Sequence, residues 1–193
     1  MSEPEDPRLA ATQSLALDAA LTVLQEQGVL AVTYGTVSEK TGISRSTLYR
    51  HWPKLKAMRN AVFLHAASSP KHTPRTNGPL HTDLTWILGN LMTALNETPW
   101  GKIVPQVIAL AATDDQARSL INTWMVDRSA SVEAVFAAAE ARGELRKNAP
   151  VQQLIEMAIA VPYFRKLIAG SPLDHEWLDA HVEMICQLAS AKN

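Results

Sequence analysis

The stretch TYGTVSEKTGISRSTLYRHWPKLKAM, residues 33–58, decides the fold of this chain. Thr33 is a residue type that caps the N-terminus of a helix, and Gly42 is of a type that ends one. Ser44 offers a second N-cap only two residues after Gly42, and Pro53 closes the helix that Ser44 begins. Two short helices joined by a glycine-containing turn of three or four residues form a helix-turn-helix. The stretch therefore predicts this motif, which places its second helix in the major groove of DNA.

An amphipathic helix lies on each side of the motif. Residues 8–27 place apolar side chains at the i, i+3, i+4 and i+7 spacing of a helix face, namely Leu17, Ala20, Leu21 and Leu24. Gly28 is well placed to end that helix. After Pro53 a further helix carries Leu55, Met58 and Val62 on one face and ends near Ser68. We therefore predict a helix-turn-helix DNA-binding domain over residues 1–67, in which residues 8–27 and the two helices of the motif form a three-helix unit that the helix after Pro53 follows.

Beyond this domain the chain reads as a linker followed by helices. Residues 68–79 contain three prolines and a glycine, which predicts a linker. A helical stripe follows and is broken by Pro99 and Gly101; its members are Leu84, Leu88, Leu91 and Leu95. Further helical segments are predicted over residues 103–112, 116–142 (ended by Gly143), 151–168 and 175–191. No strand-like alternation of any length occurs, so the predicted fold class is all-α with about nine helices and a second domain over residues 80–193.

Composition narrows the class of protein. The chain has 193 residues, of which 47% are hydrophobic and 19% charged, as in ordinary globular proteins. Its richest apolar run, 157–164, is far shorter than the roughly 18 residues of a membrane span. The start MSEPEDPR lacks the basic and apolar stretches of a secretory signal, so we expect a cytoplasmic protein without a membrane partner.

Metal and cofactor chemistry find no support in the sequence. The lone Cys186 has no neighbouring Cys or His that could complete a zinc site. His65, His81 and His175 also lack the spacing of metal ligands. We therefore predict neither a metal nor a cofactor.

Charge is distributed unevenly along the chain. The net charge is only −1, yet six basic residues and no acidic one lie between Lys40 and Arg59. A cluster of this kind is most often a solvated face, so it does not establish nucleic-acid binding by itself. Duplex affinity nevertheless depends on such cations, which neutralise phosphates.

The second helix of the motif carries the chemistry that base reading needs. Arg45, directly after the Ser44 cap, can donate two hydrogen bonds to guanine, and Arg50 can read a base or clamp a phosphate. Hydroxyl, imidazole and ammonium groups and the helix N-termini suit phosphate oxygens. The predicted DNA-binding residues are Thr33, Tyr34, Ser44, Arg45, Ser46, Thr47, Tyr49, Arg50, His51, Lys54 and Lys56.

These residues resemble the signature of the tetracycline-repressor (TetR) family. The resemblance covers about the first 65 residues and is carried by Asp18-Ala19-Ala20-Leu21, Gly28, Thr33, Val37, Gly42-Ile43-Ser44, Thr47-Leu48-Tyr49 and Trp52. It implies that Thr47, Tyr49 and His51 contact the DNA backbone and some bases. It also implies that Arg45, Ser46 and Arg50 occupy the variable, sequence-reading positions.

Two positions depart from the family pattern. Leu55 stands where relatives usually have a phosphate-binding lysine, and either Lys54 or Lys56 could replace it. Gly35 stands where many relatives have an arginine or another polar residue early in the second helix. We expect Trp52 to pack in the core of the domain.

The resemblance also implies a C-terminal body that binds a small molecule in a helical cavity and dimerises through its last two helices. The segment 158–174 is similar to a pattern near the end of one branch of the family, and Pro162 should kink its helix. The apolar stripe of the last helix fits its own core and a symmetry mate equally well; it consists of Leu178, Val182, Ile185 and Ala189. Candidate ligand contacts are Trp86, Met92, Trp100, Trp124, Met125, Met157, Tyr163 and Phe164.

These features predict a ligand-responsive repressor that binds a palindromic operator as a homodimer. An enzyme is the first alternative, but the chain has no Gly-x-Ser-x-Gly, phosphate-cradling glycine loop or His-Glu-x-x-His. A helical protein-interaction module that has lost DNA binding is the second alternative, favoured by Gly35 and Leu55. The operator, the inducer, the regulated genes and the choice between repression and activation stay open.

Overall fold

The computed structural model of the protein describes residues 7–67 and 74–190, and all regular structure within them is helical apart from one isolated bridge between Leu145 and Ser190. Nine α-helices lie within these residues: α1 Pro7–Gln27, α2 Tyr34–Thr41, α3 Arg45–His51, α4 Leu55–Ala67, α5 Leu80–Glu97, α6 Pro99–Ala111, α7 Asp115–Ala141, α8 Val151–Tyr163 and α9 His175–Ala189. The all-α prediction is confirmed. None of these helices combines the length and apolar character needed to cross a bilayer.

The described residues fall into two compact units. The first joins those of Met1–Ser69 to those of Pro99–Ile121, and the second joins those of Pro70–Thr98 to those of Asn122–Asn193. The sequence pattern gave no sign that α6 packs with the helix-turn-helix. The functional division into 1–67, 68–79 and 80–193 stays a prediction, and part of the predicted linker lies outside the described residues; residues 74–79 are irregular.

In the first unit, α1 packs against α2 and α4 through a face rotated from the predicted one. Leu17 and Leu21 are only half-buried. The buried face consists of Ala16, Ala20, Val23 and Leu24. Alanines let neighbouring helices approach closely, so the small residues of α1, rather than all of its leucines, face the core. Val37 of α2 and Leu48 of α3 also belong to this core, and both are fully buried.

Helix α6 is tied to α1 by one glutamine. Gln106 Oε1 accepts a hydrogen bond of 3.1 Å from Val29 N–H, and Gln106 Nε2 donates one of 3.4 Å to the Leu24 carbonyl. The predicted break near Pro99 is confirmed at Thr98, but Pro99 itself opens α6. A proline is tolerated there because the first turn of a helix leaves its N–H groups without intrahelical partners.

In the second unit, α5 and α8 pack against α9. The predicted stripe of α5 is buried: Leu84, Leu88, Leu91 and Leu95 are each at most 2% exposed. The apolar stripe of α9 is buried to the same degree and therefore belongs to the core of its own chain; it comprises Leu178, Val182, Ile185 and Ala189. Any symmetry mate must contact a different face of α9.

Helix α8 runs through Pro162 and then widens into a π-helical turn, Phe164–Ile168. Ala169 N–H donates a 2.9 Å hydrogen bond to the Phe164 carbonyl, five residues back. Proline has no N–H to donate within the helix, and a π-turn is one way for the following backbone to re-pair. The predicted disturbance at Pro162 is thus a change of winding within one continuous helical segment.

Candidate nucleic-acid interface

Local hydrogen bonds build the helix-turn-helix as predicted. Thr33 Oγ1 accepts a hydrogen bond of 3.1 Å from Thr36 N–H, and Thr36 Oγ1 accepts one of 3.0 Å from Thr33 N–H. This reciprocal pair is a capping box in which threonine takes the place of the usual Glu or Gln. Gly42 adopts the left-handed conformation at φ 73°, and Ser44 Oγ then caps α3 by accepting a 3.2 Å hydrogen bond from Thr47 N–H.

The side chain of Tyr34 holds the motif together instead of facing outward. It is 8% exposed, and its hydroxyl donates a 2.5 Å hydrogen bond to the Trp52 carbonyl. Its ring lies 4.1 Å from that of Tyr49, which is 52% exposed. Burial, followed by the nearby Tyr49, raises the pKa of Tyr34. The Tyr34 side chain is therefore buried and its hydroxyl is already hydrogen-bonded, whereas the Tyr49 side chain is exposed and Trp52 is buried as expected.

His51 also has an internal role. Its Nδ1 lies 3.2 Å from Gln13 Nε2, which ties the end of α3 to α1. Its Nε2 is enclosed by protein atoms and has no hydrogen-bond partner among the described residues. In this arrangement Nε2 cannot reach a phosphate, so the predicted contact of His51 with DNA would need the ring to move.

The outer surface of α3 carries the remaining predicted readers. Arg45, Ser46 and Arg50 are exposed, and Thr47 is half-buried. The hydroxyl oxygen of Ser44 lies 2.8 Å from that of Ser46 and 2.9 Å from that of Thr47. The helix therefore presents two guanidinium groups together with linked hydroxyls, the donor types that read guanine and hold phosphates.

Three of the six clustered cations are engaged within the first unit. Lys40 pairs with Glu26 at 3.2 Å, and Lys56 pairs with Asp114 at 2.8 Å. Arg59 donates two hydrogen bonds of 3.0 Å to backbone carbonyls in the segment before α2. Spacing alone could not have revealed these partners, because Asp114 lies far along the chain in the turn between α6 and α7.

The other three cations are Arg45, Arg50 and Lys54. All three are exposed, and none forms an ion pair with another described residue. They lie on α3 and immediately before α4. Three exposed cations without an ion pair among the described residues thus lie close together in the sequence, on α3 and just after it.

Four of the predicted ligand contacts in the second unit lie in two places. Trp86 and Met92 line a groove of about 490 Å³ along α5, together with His81 and His175. The Arg75 guanidinium lies 3.5 Å from the centre of the Trp86 ring. This cation–π contact covers one side of the indole.

The second place is an aromatic pair. Trp124 and Tyr163 meet edge to face at 5.5 Å, an arrangement that aromatic rings favour. Met125 and Met157 are half-buried, and Phe164 is 59% exposed. Trp100 differs from the others because it is buried in the first unit, as part of α6.

Comparison with known proteins agrees with this architecture. Residues 16–62 match the family described as "Bacterial regulatory proteins, tetR family". Residues 74–185, more than half of the chain, match "Tetracyclin repressor-like, C-terminal domain". The chain belongs to the TetR family. As a TetR-family protein it is a DNA-binding transcriptional regulator and not an enzyme.

Relatives of this TetR-family chain carry matching names. It is 24% identical over 173 residues to the uncharacterized HTH-type transcriptional regulator YdeS of Bacillus subtilis (strain 168), covering 89% of this chain and 86% of that protein. It is 29% identical over 175 residues to the DNA-binding transcriptional repressor TetR of Mycobacteroides abscessus, covering 89% and 90%. The crystal structure of the TetR family transcription regulator SCO0332 superposes with a TM-score of 0.68 at 24% identity, over 93% of this chain and 98% of that one. That structure supports the fold.

Proposed function

We propose that this regulator is a repressor that binds a palindromic operator as a homodimer and leaves it when a small molecule binds. The observation that carries the proposal is the set of three exposed cations of the helix-turn-helix that form no ion pair with another described residue. Arg45 and Arg50 read base edges from α3, and Lys54 holds a phosphate. Residues 1–67 supply DNA binding, residues 80–193 supply ligand binding and dimerisation, and the protein acts in the cytoplasm, where its DNA lies.

Lys54, and not Lys56, takes the place of the phosphate-binding lysine for which Leu55 stands. Lys56 is engaged by Asp114, whereas Lys54 is exposed without an ion pair among the described residues. An ammonium group that is already neutralised gains less from a phosphate than one that is not. Lys54 is therefore the better phosphate ligand.

Selection of bound duplexes from a random pool tests DNA recognition without knowledge of the operator. We expect the wild-type chain to select a palindrome, and Arg45→Ala and Arg50→Ala each to lose base preference, at about 1–3 kcal/mol per good bidentate contact. Lys40→Ala is the matched control, because Lys40 already pairs with Glu26 and should leave base preference unchanged. If neither arginine variant changed base preference, residues other than Arg45 and Arg50 would read the operator.

Dimerisation uses the outer side of the last two helices. The core stripe of α9 is buried in its own chain, but Met184 and Leu188 on the same helix are 41% and 43% exposed. Phe164 and Ile168, which follow α8, are 59% and 75% exposed. Exposed apolar side chains on neighbouring elements are the material from which two-fold helix bundles are made.

Sedimentation tests this interface. The double variant Met184→Glu with Leu188→Glu should sediment as a monomer, because the buried charges would oppose association. Val126→Glu on α7 is the control, since Val126 is 66% exposed and lies on neither of the last two helices. A double variant that stays dimeric places the interface elsewhere.

The inducer binds in the second unit. The groove beside Trp86 and Met92 and the aromatic pair of Trp124 and Tyr163 are the apolar surfaces that support this part of the proposal. Only a ligand with higher affinity for the form that does not bind DNA can cause release. In a screen by thermal shift, Trp124→Ala and Trp86→Ala should separate the two surfaces, because only the variant at the true site should lose the shift.

A further inference from the structure

One exposed guanidinium group of the first unit lies directly against a glycine. A Cβ at position 35 would lie 3.2 Å from Arg45 Nη2 and 3.7 Å from Arg45 Cζ. The first separation is tighter than most Cβ contacts, whereas the second is an ordinary van der Waals contact, so a Cβ at this position would require the guanidinium to shift by a few tenths of an ångström. Gly35 is the second residue of α2, and Arg45 is the first residue of α3. The surface of α2 at Gly35 thus forms a seat for the Arg45 side chain.

The backbone itself does not require a glycine here. The described glycines with left-handed φ are Gly28, Gly42, Gly143 and Gly170, and Gly35 is not among them. Alanine could therefore adopt the backbone conformation of Gly35, and alanine is the better helix former. What a Cβ at position 35 would crowd is the guanidinium of Arg45, because its 3.5 Å separation from the capping hydroxyl of Thr33 is an ordinary van der Waals contact.

The charges around this seat determine how DNA binding affects the position of the Arg45 guanidinium. The first turn of a helix carries partial positive charge, so a cation beside it is disfavoured in the free protein. Arg45 is exposed and has no ion pair among the described residues to offset that repulsion. Approach of DNA brings negative phosphates to this end of α2 and removes the penalty. The Arg45 guanidinium already occupies the seat in the absence of DNA, and DNA binding then favours this position further.

We propose that Gly35 is a specificity-determining position, which holds the Arg45 guanidinium where that group reads its base pair. The proposal rests on the proposed function, because it assigns Gly35 a role in the recognition that Arg45 performs. A long arginine side chain has many rotamers, and contact with the bare backbone of α2 restricts them before DNA arrives. Gly35 is a positioning residue that acts through Arg45 and needs no contact with DNA of its own.

Half-site selection on four proteins tests the proposal: wild type, Arg45→Ala, Gly35→Gln and the double variant. Arg45→Ala should lose preference at one position of each half-site by about 5-fold or more, the lower bound for a good bidentate contact. Gly35→Gln should lose preference at that same position by a similar factor. The double variant should match Arg45→Ala alone. Gly35→Ala should show a smaller loss in the same direction, because one methyl group shifts the guanidinium only slightly.

Two controls keep the reading clear. Glu39→Gln introduces the same side chain at an exposed position of α2 and should keep the wild-type base preference. Thermal unfolding reports whether each variant is folded, and Gly35→Ala serves if Gly35→Gln is not. The proposal is overturned if the variants at position 35 keep the preference that Arg45→Ala loses, or if their effect persists in the Arg45→Ala background. If the wild-type chain selects no sequence at all, the proposed function fails together with this inference.

Discussion

Replacing Asp114 by asparagine should strengthen DNA binding by releasing Lys56. The two oxygens of Asp114 have different partners: Oδ2 lies 2.8 Å from Lys56 Nζ, and Oδ1 accepts a 3.0 Å hydrogen bond from Ala117 N–H at the start of α7. Asparagine is as good an N-cap as aspartate, so it keeps the cap and removes the charge. The ion pair is partly exposed and worth at most about 1 kcal/mol, so stability should change little.

The size of the effect follows from counterion release. Each phosphate contact steepens the dependence of log affinity on log salt by about 0.9. If Lys56, once released, contacts one phosphate, Asp114→Asn should lose more affinity than the wild type between about 50 and 200 mM salt. The additional loss is about 3.5-fold per protomer and about 12-fold for a dimer. Affinity at 50 mM salt should rise accordingly.

Fluorescence anisotropy with a labelled duplex, measured across that range of salt, is the assay. Lys56→Ala should change the slope little in the wild-type background and should return the slope of Asp114→Asn to the wild-type value. Lys54→Ala should flatten the wild-type slope by about 0.9 per protomer. The reasoning is refuted if Asp114→Asn leaves the slope unchanged, or if Lys56→Ala alone flattens it. The second result would mean that Lys56 leaves Asp114 whenever DNA binds.

Three further outcomes follow from single groups. Tyr34→Phe should lower the free energy of unfolding, measured by urea denaturation, by about 1–3 kcal/mol, because the buried Trp52 carbonyl loses its hydrogen-bond donor. Unchanged stability would contradict this role of the Tyr34 hydroxyl. Burial would raise the pKa of Glu144, but hydrogen bonds and the charge of Arg142 lower it overall. The ionised Glu144 therefore stabilises the fold above about pH 4.3, and this stabilisation is lost as the pH falls toward the lowered pKa. Glu144→Gln should weaken the acid sensitivity of thermal unfolding, and an unaltered pH profile would argue against this role. Burial, followed by the charges of two nearby carboxylates, raises the pKa of the Cys186 thiol to about 11. Alkylation of Cys186 at pH 8 should therefore be much slower in the folded chain than in urea. Equal rates would count against this prediction.

The local part of the fold was predictable from the sequence because it depends on neighbouring residues. Thr33, Gly42 and Ser44 act on backbone groups within three or four positions, and all three perform the predicted roles. Which face of α1 is buried was less predictable, because α1 itself carries apolar residues on several sides. Burial of Ala16 and half-exposure of Leu17 result from the neighbours that pack against α1, and no local pattern contains that information.

The site shows the same division between local and distant effects. Exposure of Arg45 and Arg50 follows from their place on α3, so the sequence predicts it. The inward direction of Tyr34 does not follow, since a tyrosine has an apolar body and a polar tip and can face either way. The ion pair between Lys56 and Asp114 depends on α6 returning to the first unit, a tertiary contact without any signature in the sequence.

That return of α6 has a consequence for the recombination of regulators. A hybrid made by joining residues up to the end of α4 to the sensor of another protein would lack the buried Ile103, Val104 and Val107 of α6. It would also lose Gln106, which binds the Leu24 carbonyl and the Val29 N–H. The DNA-reading unit of this chain therefore consists of two separate segments, the residues up to the end of α4 and the helix α6. A transplant that keeps both pieces should remain folded, whereas one made with a single cut exposes an apolar face on α1 and α4 and should aggregate.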